Sequence, residues 1–325
     1  MRVNPRLALL AFLCLDACGG DSVAPPPPPN SWVRRASVPG GGVSGASSFV
    51  IDGRIYIANG FRNGWTKAVY RYDPAHDSWQ ELPSTPTNVR ANAIGFAIGG
   101  YGYMGLGSNC LGGGTCTYTY YKDLWRLDPM TTQWTQMADF PGTARANAAS
   151  FVIGDRAYVT GGSSAADIDT WEYNPATNAW TQKADFPGAC NARATAFSIG
   201  TKGYVGLGLG VNGECTDFWG YDTTANSWTR VDSFPGAARY DAVALSIGDT
   251  AFVVGGVVAP GYVTEVWTYS ATGNAWAKRE TTYPGQALVE MMVGVVAGRI
   301  FVGLGTNNPT GGATDQFDEL WEYIR

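Results

Sequence analysis

Short apolar segments alternate with glycine-rich and polar turns along the chain, and this pattern repeats every 46 to 55 residues. In each repeat an apolar segment ends on glycine, as in YIANG, YMGLG, YVTGG, YVGLG, FVVGG and FVGLG. A polar turn such as DPAHDS or NPATNA follows and leads into a tryptophan. Because Asp-Pro and Asn-Pro start type I turns, each repeat is predicted to contain short antiparallel strands joined by tight turns.

Two columns of aromatic residues define the repeat. One column is spaced by 47, 55, 46, 48 and 48 residues and consists of Trp32, Trp79, Trp134, Trp180, Trp228 and Trp276. The other consists of Trp125, Trp171, Trp219, Trp267 and Trp321, with Tyr70 in the same place in the first repeat. We interpret both columns as packing residues, since each buried aromatic side chain removes ~150–250 Å² from water. In the third repeat the pattern predicts strands at 146–153, 157–161, 170–174 and 179–183.

A single four-stranded sheet has two faces to bury, and stacking such sheets around an axis buries them in a β-propeller. The last repeat ends at Tyr323 without a fourth strand, whereas residues 31–35 read as a fourth strand without the preceding three. Joining the two completes a blade and leaves no open sheet edge. The sequence therefore predicts an all-β fold over residues 31–325, with six blades and an N-terminal strand that completes the last one.

The repeat resembles the kelch motif, which has a paired glycine, a later tyrosine and then a tryptophan. Gly161-Gly162 and Gly255-Gly256 supply such pairs. The resemblance implies a kelch-type propeller. The kelch-like family includes exported N-acetylneuraminate epimerases and copper radical enzymes of the galactose oxidase type. The copper enzymes need two histidine ligands, and this sequence has only His76.

The N-terminal segment has the pattern of an export signal. Arg2 and Arg6 precede a nine-residue apolar stretch at residues 7–15, which is too short to span a bilayer. The following Leu-Asp-Ala-Cys resembles a bacterial lipobox. We predict a lipoprotein signal peptide at residues 1–17, then a lipidated Cys18 and a proline-rich tether at residues 18–30. An ordinary secretory signal is the alternative. The lipid anchor would be the protein's only membrane contact and would hold it, once exported, at the outer membrane or cell surface of a bacterium.

Composition limits the chemistry that the protein can perform. Charged residues make up 15% of the chain, the net charge is -5, and no Lys/Arg-rich run appears, so nucleic acid is not expected as a partner. One histidine excludes multi-histidine metal sites and disfavours Ser-His and Cys-His catalysis. No phosphate-binding loop or dinucleotide fingerprint is present. We therefore expect no metal, no cofactor and a monomer.

Four cysteines lie within the repeats: Cys110, Cys116, Cys190 and Cys215. An even number in an exported protein favours disulfides. The topology favours pairing of Cys110 with Cys116 and of Cys190 with Cys215, in loops at one face of the ring. A zinc site built from the same four residues is the alternative.

Aligned first strands place two columns of residues near the channel mouth. The first is Val43, Arg90, Arg145, Asn191, Arg239 and Leu288; the second is Gly45, Asn92, Asn147, Arg193, Asp241 and Glu290. The four arginines, Arg90, Arg145, Arg193 and Arg239, could bind an anion through paired hydrogen bonds. They could instead be structural partners of nearby carboxylates and carbonyls. Asp241 and Glu290 are candidates for ligand contact or acid–base chemistry, or for salt bridges with the arginines.

Trp65 stands outside both aromatic columns and falls in a loop at the same face, as do Tyr118 and Tyr120. Trp65 is predicted either to contact a ligand or to fold back onto its own blade. Two functions remain open. The first is a non-catalytic module that binds a protein or a carbohydrate, with no catalytic residue assigned. The second is an exported sugar-modifying enzyme similar to N-acetylneuraminate epimerase.

Overall fold

The computed structural model describes residues 26–111, 117–164, 166–286, 288–308 and 316–325, and these contain strands and turns but no helix. Most of the strands form six four-stranded antiparallel sheets. The innermost strand of each sheet contacts the innermost strands of both neighbours, which closes a ring. This arrangement is the predicted all-β propeller, and its six sheets agree with the six predicted blades.

The first three blades follow one another along the chain, and the strands of each run in order from the channel outward. Blade 1 contains Ser47–Ile51, Arg54–Ala58, Val69–Asp73 and Ser78–Leu82. Blade 2 contains Ile94–Ile98, Tyr101–Gly105, Leu124–Leu127 and Trp134–Met137. Blade 3 contains Ala149–Ile153, Arg156–Thr160, Thr170–Asn174 and Ala179–Lys183. The first strand of blade 3 begins later than the predicted residue 146 because Asn147 has a left-handed φ of 56°, which interrupts extended backbone.

The last three blades repeat the arrangement, and the sixth joins both ends of the described chain. Blade 4 contains Thr195–Ile199, Lys202–Gly206, Phe218–Asp222 and Ser227–Val231. Blade 5 contains Val243–Ile247, Thr250–Val254, Val266–Ser270 and Ala275–Lys278. Blade 6 contains Met292–Val296, Arg299–Gly303, Leu320–Ile324 and, as its outer strand, Ser31–Arg35. Trp32 is opposite Tyr323 in that pairing, as the closure prediction requires.

The hydrophobic core lies between the blades. Buried apolar residues form one cluster at each of the six interfaces between neighbouring sheets. The fit is close: a Cβ atom at Gly203 would lie 2.0 Å from the ring of Phe151 in the preceding blade. Each blade thus buries its two faces against its neighbours, which is why the repeats form a closed ring.

Shorter strands lie at one end of the ring. They occur in the loops that connect the second and third strands of a blade and in the segment before blade 4. They are Ser108–Cys110, Tyr118–Tyr120, Cys190–Ala192, Leu209–Gly210, Gly213–Glu214, Val257–Val258 and Gly261–Tyr262. The residues preceding each innermost strand reach the same end. We call this end of the ring the mouth.

Candidate functional site

Six residues, each two positions before an innermost strand, surround the channel at the mouth. All six have a left-handed φ between 53° and 60°: Gly45, Asn92, Asn147, Arg193, Asp241 and Glu290. Glycine and asparagine tolerate this conformation, whereas it is uncommon for arginine and glutamate. Such strain persists where the surrounding structure enforces it and is frequent at functional sites.

Backbone hydrogen bonds between blades hold these residues in place. The amide of Asn92 donates to the carbonyl of Gly45 over 2.8 Å, and the amide of Asn147 donates to the carbonyl of Asn92 over 2.9 Å. Equivalent bonds run from Gly45 to Glu290 and from Asp241 to Arg193, each over 3.2 Å. At four of the six steps around the channel, backbone hydrogen bonds therefore hold this ring of residues to the neighbouring blade.

The loops between second and third strands are fastened to this ring by short β-bridges with a constant spacing of 17 residues. The bridges are Ser44 to Phe61, Ala91 to Ser108, Tyr240 to Val257, and Val289 to Thr306. In blade 4 a disulfide joins Cys190 to Cys215, with 5.9 Å between their Cα atoms, which confirms the second predicted pair. Cys110 is also disulfide-bonded, and its predicted partner, Cys116, lies outside the described residues.

Three charged side chains occupy the floor of the mouth. The Arg193 guanidinium donates to the Asp241 carboxylate over 2.5 Å, and Asp241 is only 10% exposed. The side-chain amide of Asn92 donates a hydrogen bond to the Glu290 carboxylate over 3.2 Å. Gly45 leaves room for Asn92, because a Cβ atom at residue 45 would lie 2.7 Å from Asn92 Oδ1. The structure thus brings the predicted residues Arg193, Asp241 and Glu290 together.

These contacts shift the ionisation of the charged groups. Burial, reinforced by the Glu290 carboxylate and opposed by Arg193, raises the pKa of Asp241 to about 6. Burial would lower the pKa of Arg193, but the carboxylates of Asp241 and Glu290 more than offset it and hold that pKa above its usual range. Arg193 is therefore a permanent cation whose charge is already partly neutralised.

The other three predicted arginines lie elsewhere. Arg90, Arg145 and Arg239 are each at most 2% exposed and do not line the cavities at the mouth. Each donates to the carbonyl two residues earlier and to the carbonyl 16 residues later. The structure does not bring these arginines to the channel, because their side chains turn back into their own blades.

A carboxylate completes each of these buried arginine sites. Arg90 contacts Asp123 at 2.6 Å, Arg145 contacts Asp169 at 2.7 Å, and Arg239 contacts Glu265 at 2.6 Å. The same carboxylates accept the indole hydrogen bonds of Trp125, Trp171 and Trp267. Burial acts to raise the pKa of Glu265, but Arg239 and Lys278 reverse this and lower it to about 2. These contacts with carboxylates and carbonyls are those of the second interpretation of the sequence, in which the arginines are structural partners.

Aromatic residues form one wall of the mouth. Trp65 donates its indole N–H to the carbonyl of Cys110 over 3.0 Å and packs edge-on against Phe61. Tyr118 and Tyr120 stack with 6.2 Å between ring centroids and are 58% and 41% exposed. Trp65 thus packs on Phe61 of its own blade and on the neighbouring loop of blade 2, and it also lines the mouth; its contact with a ligand stays a prediction.

The mouth encloses a cleft of about 670 Å³, lined by the three aromatic residues Trp65, Tyr118 and Tyr120 and by polar residues of the floor. A smaller cavity of about 170 Å³ shares Asn92, Asn147, Arg193 and Glu290 with the cleft and adds Asp241. Phe61 and Gln316 also line the cleft, and neither was predicted from the sequence. Phe61 directly follows the glycine that ends its apolar segment, as the bridge partners in the other blades do, and this position was the signal in the sequence that could have placed it.

Metal-binding and membrane-spanning features are absent from the described residues. No group of three or more His, Cys, Asp or Glu side chains could hold a metal ion in that part of the chain. His76 lies in a turn away from the mouth, with Nδ1 3.1 Å from Asp73 Oδ2. None of the described segments is a helix long and apolar enough to cross a membrane.

Comparisons with known proteins agree with this architecture. The Kelch motif is found at residues 42–86 and 144–187. The solved structure of YjhT superimposes with a TM-score of 0.73, covering 88% of this chain and 95% of that chain at 17% sequence identity. The molecule is thus a β-propeller that carries kelch motifs.

Curated relatives match over part of the chain. The N-acetylneuraminate epimerase of Shigella boydii serotype 4 (strain Sb227) is 27% identical over 172 residues, 43% of this chain and 47% of the epimerase. The N-acetylneuraminate epimerase of Escherichia coli (strain K12) is 26% identical over the same shares. The chain therefore spans about half the length of the curated relatives it matches.

Proposed function

We propose that this protein is a non-catalytic binding module that recognises a carbohydrate at the mouth of the propeller. The observation that carries the proposal is the cleft of about 670 Å³, in which an aromatic wall faces a polar floor. Ligand sites typically combine apolar and aromatic walls with a few fixed polar groups. A sugar ring presents C–H groups that pack on aromatic faces and hydroxyls that both donate and accept.

The floor offers groups suited to hydroxyls. Asn92 and Asn147 each carry a donor and an acceptor, Arg193 carries donors, and Glu290 carries acceptors. The backbone ring fixes these groups before a ligand arrives, which reduces the entropy lost on binding. A protein ligand that inserts a polar loop is the other partner compatible with this surface.

A glycan array followed by saturation-transfer NMR tests the proposal. Tyr120→Ala and Trp65→Ala should each weaken binding of an array-positive glycan about tenfold or more, since each removes an aromatic face. Met130→Ala is the matched control, because Met130 is 87% exposed in a turn away from the mouth. The proposal fails if no glycan binds, or if binding survives both aromatic substitutions.

An exported sugar-modifying enzyme similar to N-acetylneuraminate epimerase is the second candidate. The partial sequence match to those enzymes favours it, and Asp241, with a pKa raised to about 6, could exchange a proton near neutral pH. Proton NMR of N-acetylneuraminate incubated with the protein would detect conversion. Loss of that conversion in Asp241→Asn would support this candidate over a purely binding function.

We also propose that the propeller is tethered through a lipid on Cys18, which lies outside the described residues. Ser31 pairs with Ile324, at the end of blade 6 that carries the turn at residues 297–298. Glu290 and the cleft belong to the opposite end. A tether attached at Ser31 would therefore place that residue's end of the ring at the membrane, with the mouth facing away from it. Mass spectrometry of the mature N-terminus tests this, since a chain starting at another residue without lipid would contradict it.

A further inference from the structure

The charge of the mouth limits which sugars it can hold. Among the described residues that line the cleft and its adjoining cavity, the charged ones are Arg193, Asp241 and Glu290. One guanidinium faces two carboxylates, so the ionised cluster carries a net charge of -1. The mouth therefore lacks the excess positive charge that favours binding of an acidic ligand.

The single arginine of the mouth is already engaged. Arg193 is 26% exposed, and its Nη1 atom lies 2.5 Å from Asp241. A ligand carboxylate that displaced Asp241 would leave a nearly buried anion without a partner, which is strongly unfavourable. A ligand carboxylate that bound the free edge of Arg193 would add a third negative charge beside two others.

The other three arginines predicted for the mouth do not compensate. Arg90, Arg145 and Arg239 are buried and paired with carboxylates inside their own blades. Hydroxyl groups, by contrast, fit the cluster as it stands. They can donate to Glu290, accept from Asn92 or Arg193, and bring no charge.

We infer that the mouth selects an uncharged, polyhydroxylated sugar and discriminates against carboxylated sugars. This inference rests on the proposed carbohydrate-binding function and specifies its ligand class. It also separates this chain from the epimerases that it partly matches, whose name specifies an acidic sugar.

Matched pairs of sugars that differ only at the carboxyl group test the inference directly. We would use galactose and galacturonate oligomers of equal length, and N-acetylneuraminic acid with its methyl ester. Calorimetry or NMR titration should show the neutral member of a pair binding about tenfold or more tightly at low salt. Raising the salt from about 0.02 to about 0.5 M should reduce the difference in affinity between the two sugars, because salt screens the repulsion that weakens binding of the acidic sugar.

Two substitutions separate charge from geometry. Asp241→Asn frees Arg193 and brings the cluster to neutrality, so it should improve binding of the acidic member about tenfold. Glu290→Gln produces the same net charge but leaves Arg193 paired, so it should improve that binding by a smaller factor. A thermal melt of each variant establishes that it is folded.

The outcomes are distinct for the two proposals. If wild-type protein binds the acidic member as tightly as or more tightly than the neutral one, the inference is overturned while carbohydrate binding stands. If wild-type protein prefers the neutral member and Asp241→Asn reduces that preference, the inference is supported. If neither member of any pair binds and the glycan array is also negative, carbohydrate binding and the inference fail together.

Discussion

The hydroxyl of Tyr323 donates a hydrogen bond to the side-chain oxygen of Asn30 over 3.0 Å, joining residues 293 positions apart in the chain. The same contact occurs within blades 3, 4 and 5, from Tyr173 to Asn178, Tyr221 to Asn226 and Tyr269 to Asn274. Asn30 has a φ of 57°, in the left-handed region like its three counterparts. The residue before the closing strand therefore makes the same tyrosine–asparagine contact, here called the clasp, that blades 3, 4 and 5 form within their own repeats.

Substituting Asn30 should weaken ring closure. Asn30→Ala removes the acceptor for the buried Tyr323 hydroxyl and for Arg279, and we expect the free energy of unfolding to fall by roughly 1–3 kcal/mol. Urea denaturation measures the change. Asn30→Gly tolerates the left-handed backbone and so isolates the loss of the side chain from backbone strain. A change below about 0.5 kcal/mol in both variants would show that the contact does not stabilise the closure.

Removing a first-column arginine should destabilise the fold. Arg145→Ala leaves the Asp169 carboxylate without its ion-pair partner and removes donors to the carbonyls of Thr143 and Gly161. Loss of one member of a buried pair costs roughly 3–5 kcal/mol, which urea denaturation would detect. Arg230→Ala is the control, because Arg230 is exposed, and it should change stability by less than about 0.5 kcal/mol. Equal stability of the two variants would contradict the structural assignment of Arg145.

The repeat could be predicted from the sequence because the regular spacing of the tryptophans encodes it, and this spacing can be read without a structure. The tryptophan columns and the incomplete last repeat together specify the blades and their closure. The direction of each arginine side chain and its carboxylate partner could not be predicted in this way. Arg145 and Arg193 both precede an innermost strand, but Arg145 turns into its blade toward Asp169 whereas Arg193 reaches Asp241 in the next blade. That choice depends on φ at each position and on carboxylates 24 to 48 residues away.

Stability should depend on pH through Asp241. Burial first, then Glu290, raises its pKa from 3.8 to about 6, with Arg193 opposing. Between these two values the folded state holds a proton that the unfolded state has released, so this group's contribution to stability increases as pH falls through about 6. From about pH 7.5 to about pH 5 the contribution should grow by about 1 kcal/mol.

Comparison with Asp241→Asn isolates this contribution. Other groups act in the opposite direction at lower pH, among them Glu265, whose pKa of about 2 makes its contribution disappear as pH falls below about 4. Their contributions cancel when wild-type protein and Asp241→Asn are both measured by urea denaturation at the two pH values. The pKa assignment is wrong if the two proteins change in stability by the same amount.

Blade 2 lacks both the tyrosine–asparagine clasp and the tryptophan hydrogen bond to the preceding blade, which provides a matched pair of substitutions. In blade 3 the indole N–H of Trp180 donates to the carbonyl of Ala138 in the preceding blade over 3.0 Å. In blade 2 the equivalent Trp134 has a buried indole nitrogen that finds no hydrogen-bond partner among the described residues. The tyrosine of the clasp is replaced there by Leu127, and the asparagine by Thr132.

Trp180→Phe and Trp134→Phe remove the same ring volume, so the cost of lost packing should be similar at the two interfaces. Trp180→Phe additionally leaves the Ala138 carbonyl without its indole donor, and we expect it to reduce the free energy of unfolding by about 1 kcal/mol more than Trp134→Phe. Urea denaturation of both variants measures the difference. A larger loss at Trp134 than at Trp180 would show that the indole hydrogen bond does not stabilise the contact between neighbouring blades.

Thr132 of blade 2 has a φ of 57°, and asparagine favours this left-handed backbone. Thr132→Asn should therefore be tolerated and should raise the free energy of unfolding by about 0.5 kcal/mol, as measured by the same urea denaturation.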